Sequence, residues 1–241
     1  MRGGNVWRNW RRAEKVGLLL LLILVALALV SLRGSYPLEP QPVYFVPGGH
    51  PEVALTFETL WSSGNLEQIL SILEEEAVQA TFFISGTWLT NHPAAAKSIL
   101  AGGHEIGNHT MNHRTLLYLN QEDLVQEINA FNKLAAEILE YRPRLFRPPL
   151  GLYNGLVLRK ARQQGCRTVL WSIDSYDWIS RSGSEISRRV EERVHGGAII
   201  VFRVGAPMLL EALPDILHML SQQGLKPVSV SELLKSADQT R

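Results

Sequence analysis

The sequence predicts an α/β fold, a distorted and incomplete (β/α) barrel, and three observations carry that prediction. Short apolar runs alternate with amphipathic helical segments from Val53 to near the C-terminus, which implies parallel strands joined by crossover helices. The strand-like runs number roughly six or seven, which suits an incomplete barrel better than an open doubly wound sheet. No glycine-rich nucleotide fingerprint follows the first strand, which weakens the doubly wound alternative.

Ahead of this body lie three segments of different character. Residues 1–15 form a basic tail: Arg2, Arg8, Arg11, Arg12 and Lys15 against Glu14 give it +4, so a chain of net charge +1 leaves −3 for the rest. Residues 16–33 follow, and Val16–Leu32 carries no charge. A transmembrane helix needs roughly 20 apolar residues, and this run lies at the short end of the range. The basic flank faces the cytoplasm by the positive-inside rule, placing everything after Arg33 outside. A cleaved signal peptide is the competing reading. The apolar stretch is long for one, and Leu32 and Arg33 stand where small residues would be needed, so an uncleaved anchor is favoured. Residues 34–50, with Pro37, Pro40, Pro42 and Pro47, read as an extended linker. The domain itself is expected over 51–236.

Within the domain each element has its own signal. Val53–Phe57 reads as a buried strand, and Leu66, Ile69, Leu70 and Leu73 mark one face of a helix over Leu66–Glu76. Ala80–Ile84 is a second short strand. A helix near Pro93–Leu100 ends at Gly102 and Gly103. The longest helix starts behind the N-cap candidate Asn120, with Leu124, Ile128, Phe131, Leu134 and Ile138 on one face. Leu145-Phe146-Arg147 runs into Pro148-Pro149, and a helix over Gly155–Gln164 stops at Gly165. The remaining elements are a strand at Thr168–Ile173, a helix at Ser184–Val194, a strand at Ala198–Phe202, a helix at Leu209–Gln223 and a strand at Pro227–Val230.

Composition excludes several functions. The chain is 46% hydrophobic and 20% charged, the profile of a globular protein, and an acidic body without a basic run does not suit nucleic acid. The single Cys166 excludes an internal disulfide framework and a zinc site built on several thiolates. No Gly-x-Ser-x-Gly elbow occurs, and Cys166 has no evident base, which disfavours serine or cysteine hydrolysis.

Barrel chemistry sits at the C-terminal ends of strands, and polar residues gather there. Thr56, Glu58 and Thr59 follow the first strand, and Gly103–His113 contains His109 and His113. Arg147–Gly151, Asp174–Trp178 and Arg203 follow later strands. Four residues apart, His109 and His113 have the spacing that brings two imidazoles onto one side of a helical turn, within reach of one metal ion. Two solvated surface histidines are the plain alternative. His104 reads as structural, and His50, His92, His195 and His218 as ordinary histidines.

Taken together, Val53–Phe57, Gly103–His113, Arg147–Gly151 and Asp174–Trp178 resemble the ordered motifs of the NodB-type polysaccharide deacetylases, carbohydrate esterase family 4. The likeness spans about 51–235, essentially the whole body. Thr56–Trp61 and Gly86-Thr87-Trp88 look most like the sporulation-associated branch of spore-forming Gram-positive bacteria. The resemblance implies a distorted (β/α) barrel and metal-assisted amide hydrolysis. In that family an Asp and two His hold a divalent ion, often zinc, that polarises the acetamido carbonyl and activates water. A second Asp takes the water's proton, and a His protonates the leaving amine.

Carried over by motif, His109 and His113 are the metal ligands and Arg147 positions the base. Asp174 and Asp177 tune charge near the catalytic His, and Pro149 and Trp178 wall the substrate groove. A buried ion pair of these acids with Arg147 is the purely structural alternative. The expected ligand is a cell-wall polysaccharide, peptidoglycan or another N-acetylglucosamine polymer. The expected cofactor is a divalent metal, zinc first, in a site that would bind it weakly.

Three positions depart from the family pattern. The base is Glu58 rather than Asp, displaced by about an ångström, a shift that can cost on the order of a hundredfold in rate. The ligand Asp is replaced by Thr59, a poor zinc ligand, a loss that the sporulation-associated branch tends to share; the alternative is that Glu58 reaches the ion instead and leaves the base role empty. Where the family's last motif ends Leu-x-His, the strand here ends in Arg203, which cannot transfer a proton near neutral pH. Arg203 would instead pair with Asp174 or Asp177, or stabilise an anionic transition state by charge. Two functions are therefore expected: a membrane-tethered deacetylase of altered activity, or a catalytically silent relative that binds glycan or protein partners in envelope or spore assembly.

Overall fold

A computed structural model of the protein describes residues 21–27, 40–59 and 63–239. The chain divides into two compact units, Met1–Glu39 and Pro40–Arg241. In the first, residues 21–27 are helical (α1), and Leu21, Leu22, Ile23, Leu24, Val25 and Leu27 are exposed. The remainder of the expected anchor 16–33, the basic tail 1–15 and residues 34–39 lie outside the described residues. Among the described residues no helix is long and apolar enough to cross a membrane.

The second unit is built on an eight-stranded sheet in the order β5-β4-β3-β2-β1-β7-β6, with β8 also paired to β1. The strands are β1 (Glu52–Thr59), β2 (Thr81–Ile84), β3 (Glu105–Asn108), β4 (Leu145–Phe146), β5 (Arg167–Thr168), β6 (Ile173–Asp174), β7 (Ile199–Arg203) and β8 (Lys226–Val228). Every registered pair is parallel. Central β1 is covered on both faces, so its residues are buried without alternation from Val53 to Thr59, the polar Thr56, Glu58 and Thr59 included. On its outer side Phe57 stacks between Phe82 and Phe202, with ring centroids 4.9 and 5.5 Å away. These rings belong to the main core, shared with α2 (Leu66–Glu75), α7 (Gly183–Glu191) and α8 (Leu209–Gln222).

The remaining helices are α3 (Gly86–Asn91), α4 (Pro93–Ala101), α5 (Gln121–Leu139), α6 (Gly155–Gln163) and α9 (Val230–Gln239). Their starts follow local chemistry. Asn120 accepts from the Asp123 N–H at the head of α5, Asn154 from Val157 N–H at α6 and Ser182 from Glu185 N–H at α7.

Three expectations change. The stretch 40–50 is not a free linker: Val43 and Val46 are buried, Val43 N–H donates to Thr168 O at 2.9 Å, and Val46 N–H donates to Gly197 O at 2.8 Å. The folded unit therefore starts at Pro40, because valines between the prolines still have N–H groups to pair and methyls to bury. The expected strand Thr168–Ile173 is two strands, β5 and β6, with Leu170 and Trp171 turning between them. Strand β3 carries no apolar run to announce it. Its Gly107 is required by close packing, since a Cβ there would come within 2.5 Å of the Phe83 ring.

Candidate active-site groove

Parallel register brings the polar strand ends together. Glu58 of β1 pairs in register with Arg203 of β7 and Phe83 of β2, and Phe83 in turn pairs with Gly107 of β3. Strand alternation turns Thr56 and Glu58 to the side opposite Phe57. Arg147, just past β4, reaches both of them. Its Nη1 donates to Thr56 Oγ1 at 3.0 Å and approaches Glu58 Oε1 at 3.5 Å. Its Nε donates to Val169 O at 3.2 Å and its Nη2 to Leu170 O at 2.9 Å. The guanidinium stands 4.0 Å from the Phe83 ring centroid and has no solvent exposure. Burial pulls its pKa down to about 10 against the opposing pull of Glu58, so it stays charged at neutral pH.

The two histidines meet, but not on a helical turn. Residues 109–113 are an irregular loop in which Thr110 and His113 have positive φ, 68° and 54°. The loop is fastened from both sides. Glu127 of α5 accepts from Asn112 N–H and from Asn112 Nδ2, each at 2.9 Å, and Gly86 N–H donates to Thr110 O. Gly86 packs closely there: a Cβ would displace the Met111 side chain and crowd its carbonyl oxygen at 3.0 Å. The rings of His109 and His113 approach edge to face with centroids 4.8 Å apart. His109 Nδ1 lies 2.8 Å from Arg147 O; a carbonyl only accepts, so Nδ1 carries the proton and Nε2 keeps its lone pair. That Nε2 is buried and has no hydrogen-bond partner. Burial drives the His109 pKa down to about 4, against Glu58, and lowers that of His113 in the same way.

On the other flank Arg203 is sealed by acids. Its Nη2 donates to Asp174 Oδ2 at 2.9 Å while Nη1 bonds Asp174 Oδ1, and Nη1 also reaches Asp177 Oδ1 at 3.3 Å. Its backbone N–H donates to Asp177 Oδ2 at 2.6 Å. Burial opposes the charge on Arg203, but Asp174, Glu58 and Asp177 outweigh it and hold the pKa above the usual arginine value. Asp177 is fully buried, which raises its pKa against the pull of Arg203. The two acids therefore pair with Arg203, not with Arg147.

A groove of about 580 Å³ opens above these residues, lined among others by Glu58, His113, Asp174, Arg203, Tyr176 and Trp178. Pro149 does not line it. It is buried at the start of a 3₁₀ turn that instead presents Leu150, 67% exposed, to the groove. Arg147, Asp177 and His109 lie beneath the groove surface, fully buried. Leu150 and Tyr176 fall inside the strand-end motifs without a role of their own in the sequence reading, and Glu127 lies outside every motif. For Glu127 a signal exists: a lone carboxylate inside the apolar stripe Leu124, Ile128, Phe131 of α5.

The donor set fits a metal only in part. His109 Nε2 is an orphaned buried lone pair beside a second imidazole, which suits two ligands. Thr59, at the position the family resemblance assigns to the carboxylate ligand, has a neutral hydroxyl, also buried without a partner. Among the described residues no three His, Cys, Asp or Glu side chains stand together as a metal site. The residues present do not complete a three-ligand centre.

A parallel half-barrel with paired histidines, a buried arginine and an acid-flanked groove at its strand ends defines the class of the NodB-type carbohydrate hydrolases. The Polysaccharide deacetylase family model matches residues 46–169. The peptidoglycan-N-acetylglucosamine deacetylase of Bacillus cereus is 35% identical over 195 residues, covering 79% of this chain and 91% of that protein. YlxY of Bacillus subtilis is 32% identical over 204 residues, 85% of this chain; the chain spans only 63% of the length of that relative. Among solved structures, a carbohydrate esterase family 4 pseudoenzyme from Bacillus anthracis superimposes with a TM-score of 0.79 at 29% identity, covering 82% of this chain and 70% of that one. The chain belongs to the polysaccharide deacetylase family, whose deacetylases are generally metal-dependent.

Proposed function

We propose that this chain is an extracytoplasmic, membrane-tethered member of the family that holds cell-wall polysaccharide in its groove without efficient turnover. The observation that carries this reading is the Arg203–Asp174–Asp177 cluster. A deacetylase of this class needs a group that gives a proton to the leaving amine. The position that the family resemblance assigns to that group holds a guanidinium locked by two carboxylates, and it cannot release a proton near neutral pH. The lack of a third ligand among the described residues points the same way. The ligand, peptidoglycan or another N-acetylglucosamine polymer, follows from the relatives: the Bacillus cereus protein is a peptidoglycan-N-acetylglucosamine deacetylase, while the Bacillus anthracis protein is a pseudoenzyme. A role in envelope or spore assembly agrees with the sporulation-like motifs. Tethering is supported by the uncharged run at 16–32 behind a basic tail; full-length chain should stay with membranes through carbonate extraction, and a chain lacking 1–33 should not.

The enzymatic test is acetate release from N-acetylglucosamine oligomers with added zinc, cobalt or manganese. The full-length chain should release no more than the His109→Ala/His113→Ala variant, and release above that control would overturn the silent reading. The combination Glu58→Asp, Thr59→Asp and Arg203→His should raise it. The orphaned His109 Nε2 favours a second reading, slow metal-assisted hydrolysis. That reading requires close to one divalent ion per chain, lost in the double histidine variant.

A further inference from the structure

The surroundings of Glu58 allow a more specific assignment of the ligand, one that rests on the groove being a glycan site. We propose that the groove recognises the protonated amine of a de-N-acetylated amino sugar, with the ammonium held between Glu58 and the His109–His113 pair and the sugar laid against the aromatic rim.

The first argument is one of charge and donors. Glu58, Asp174 and Asp177 face two guanidiniums, Arg147 and Arg203, which leaves one negative charge in the cluster. Asp174 and Asp177 are engaged by Arg203. Arg147 gives its well-formed bonds to Thr56 and to the carbonyls of Val169 and Leu170, and its contact with Glu58 is 3.5 Å, at the outer limit of a hydrogen bond. Arg203 thus answers two carboxylates with one charge while Arg147 meets Glu58 only at the outer limit of contact, so the excess negative charge is shared by Asp174, Asp177 and Glu58, and Glu58, whose side chain is 8% exposed, carries its share at the groove wall.

The second argument is independent of charge. His109 is fully buried, its Nδ1 is tied to Arg147 O, and its Nε2 lone pair on the opposite edge of the ring has no donor. A buried acceptor without a donor is unfavourable until a ligand supplies one. The ring of His113, which lines the groove, stands beside it, and Glu58 acts electrostatically on both rings. A carboxylate and an imidazole lone pair form a set of acceptors. An ammonium offers three N–H donors and no acceptor, so it complements that set. An acetamido group offers one N–H, and its carbonyl oxygen would face a carboxylate. A divalent ion would need a third ligand, which the described residues do not provide.

The third argument concerns the rest of the sugar. Trp178, Tyr176 and Leu150 stand at the groove mouth, 59%, 40% and 67% exposed. Such surfaces suit the C–H faces of a pyranose, leaving its hydroxyls to Asp174 and Arg203. Glucosamine and a de-N-acetylated muramic residue share the ammonium, and separate ligands distinguish them.

The test is titration calorimetry of the full-length chain with tetramers of glucosamine, N-acetylglucosamine and glucose, at a pH where the amine is protonated. A de-N-acetylated muramic disaccharide forms a fourth arm. The glucosamine tetramer should bind at least about tenfold tighter than the N-acetylated and glucose tetramers, the gain expected of a charge-assisted hydrogen bond. Glu58→Gln should collapse that ratio. The wild-type ratio decides the matter even if the variant folds poorly. Equal affinity for all three tetramers overturns the amine assignment and leaves the glycan reading standing. A preference that survives in folded Glu58→Gln, or disappears at high salt, assigns it to surface charge and also overturns it. Failure of every sugar to bind overturns both readings.

Discussion

Arg147 reaches the end of β1 from the β4 side and Arg203 ends β7 on its other side, so two guanidiniums flank Glu58 from opposite directions. Their partners differ in kind. Arg147 has no exposure and is surrounded mainly by neutral acceptors, a hydroxyl and two carbonyls, with an aromatic ring on its face. Arg203 is slightly exposed and is held by two carboxylates, fork to fork by Asp174 and through one further contact by Asp177. One environment depresses the pKa and the other raises it. A buried arginine that joins four strand ends is part of the frame, whereas an arginine neutralised at the groove surface alters what the groove can do. The contrast separates the cost of losing the fold from the cost of changing the site.

The largest effect should come from breaking the frame. Arg147→Met keeps the stem but removes the guanidinium, leaving Glu58, Thr56 and the carbonyls of Val169 and Leu170 without a donor. Removing one partner of a buried network of this kind costs about 3–5 kcal/mol. Chemical denaturation at neutral pH should show at least 3 of these; a loss below about 1 kcal/mol would place Arg147 outside the frame.

Next comes His109, whose Nδ1 rests on the Arg147 carbonyl and so links frame to site. Its folded pKa is about 4, against about 6.5 in the unfolded chain. Between these values the unfolded state binds the proton and the folded state does not, so stability rises with pH across that window. The contribution is complete above about pH 6.5 and is lost as pH falls toward 4, up to about 3 kcal/mol in all. His113 adds in the same direction. The urea midpoint should fall between pH 7 and pH 4.5, with a shallower slope in His109→Asn. An unchanged slope would show that His109 takes up its proton in the folded state.

How much of this was legible in the sequence follows the same division. The frame could be read: β1, α5 and the chain of strand-end motifs carry signals in periodicity and capping. The groove could be read only by residue type. Arg203 pairing with Asp174 or Asp177 was foreseeable from charge, but that it engages both depends on the register of β7 against β6. Histidine spacing suggested a helical turn, and the loop that replaces it depends on Glu127, 15 residues from Asn112, and on the close approach of Gly86. Pro149 sits in a motif, yet a positive φ at Leu150 turns the neighbouring side chain outward instead. Long-range contacts of this kind leave no local pattern.

A smaller effect should follow Arg203→His. The imidazole cannot form the fork-to-fork bond, so Asp174 loses its bidentate partner and Asp177 one contact, at a cost of about 2 kcal/mol. In return the position gains a group that can transfer a proton. Equilibrium unfolding measures the loss. A cost equal to that of Arg147→Met would erase the distinction between frame and site.

The smallest effect belongs to a third arginine, which isolates burial as the deciding variable. Arg188 forms a geometrically good pair with Glu192 one helical turn away, N to O 2.8 Å, with side chains 64% and 55% exposed. Its distance to the carboxylate is shorter than the 3.5 Å between Arg147 and Glu58. If distance set the energy, Arg188→Ala would be the costlier change. Water solvates both partners before and after, so the expected loss is at most about 0.5 kcal/mol. Measured beside Arg147→Met in one denaturation series, a loss above about 1 kcal/mol at Arg188 would mean that short contacts rather than desolvation rank the arginines of this protein.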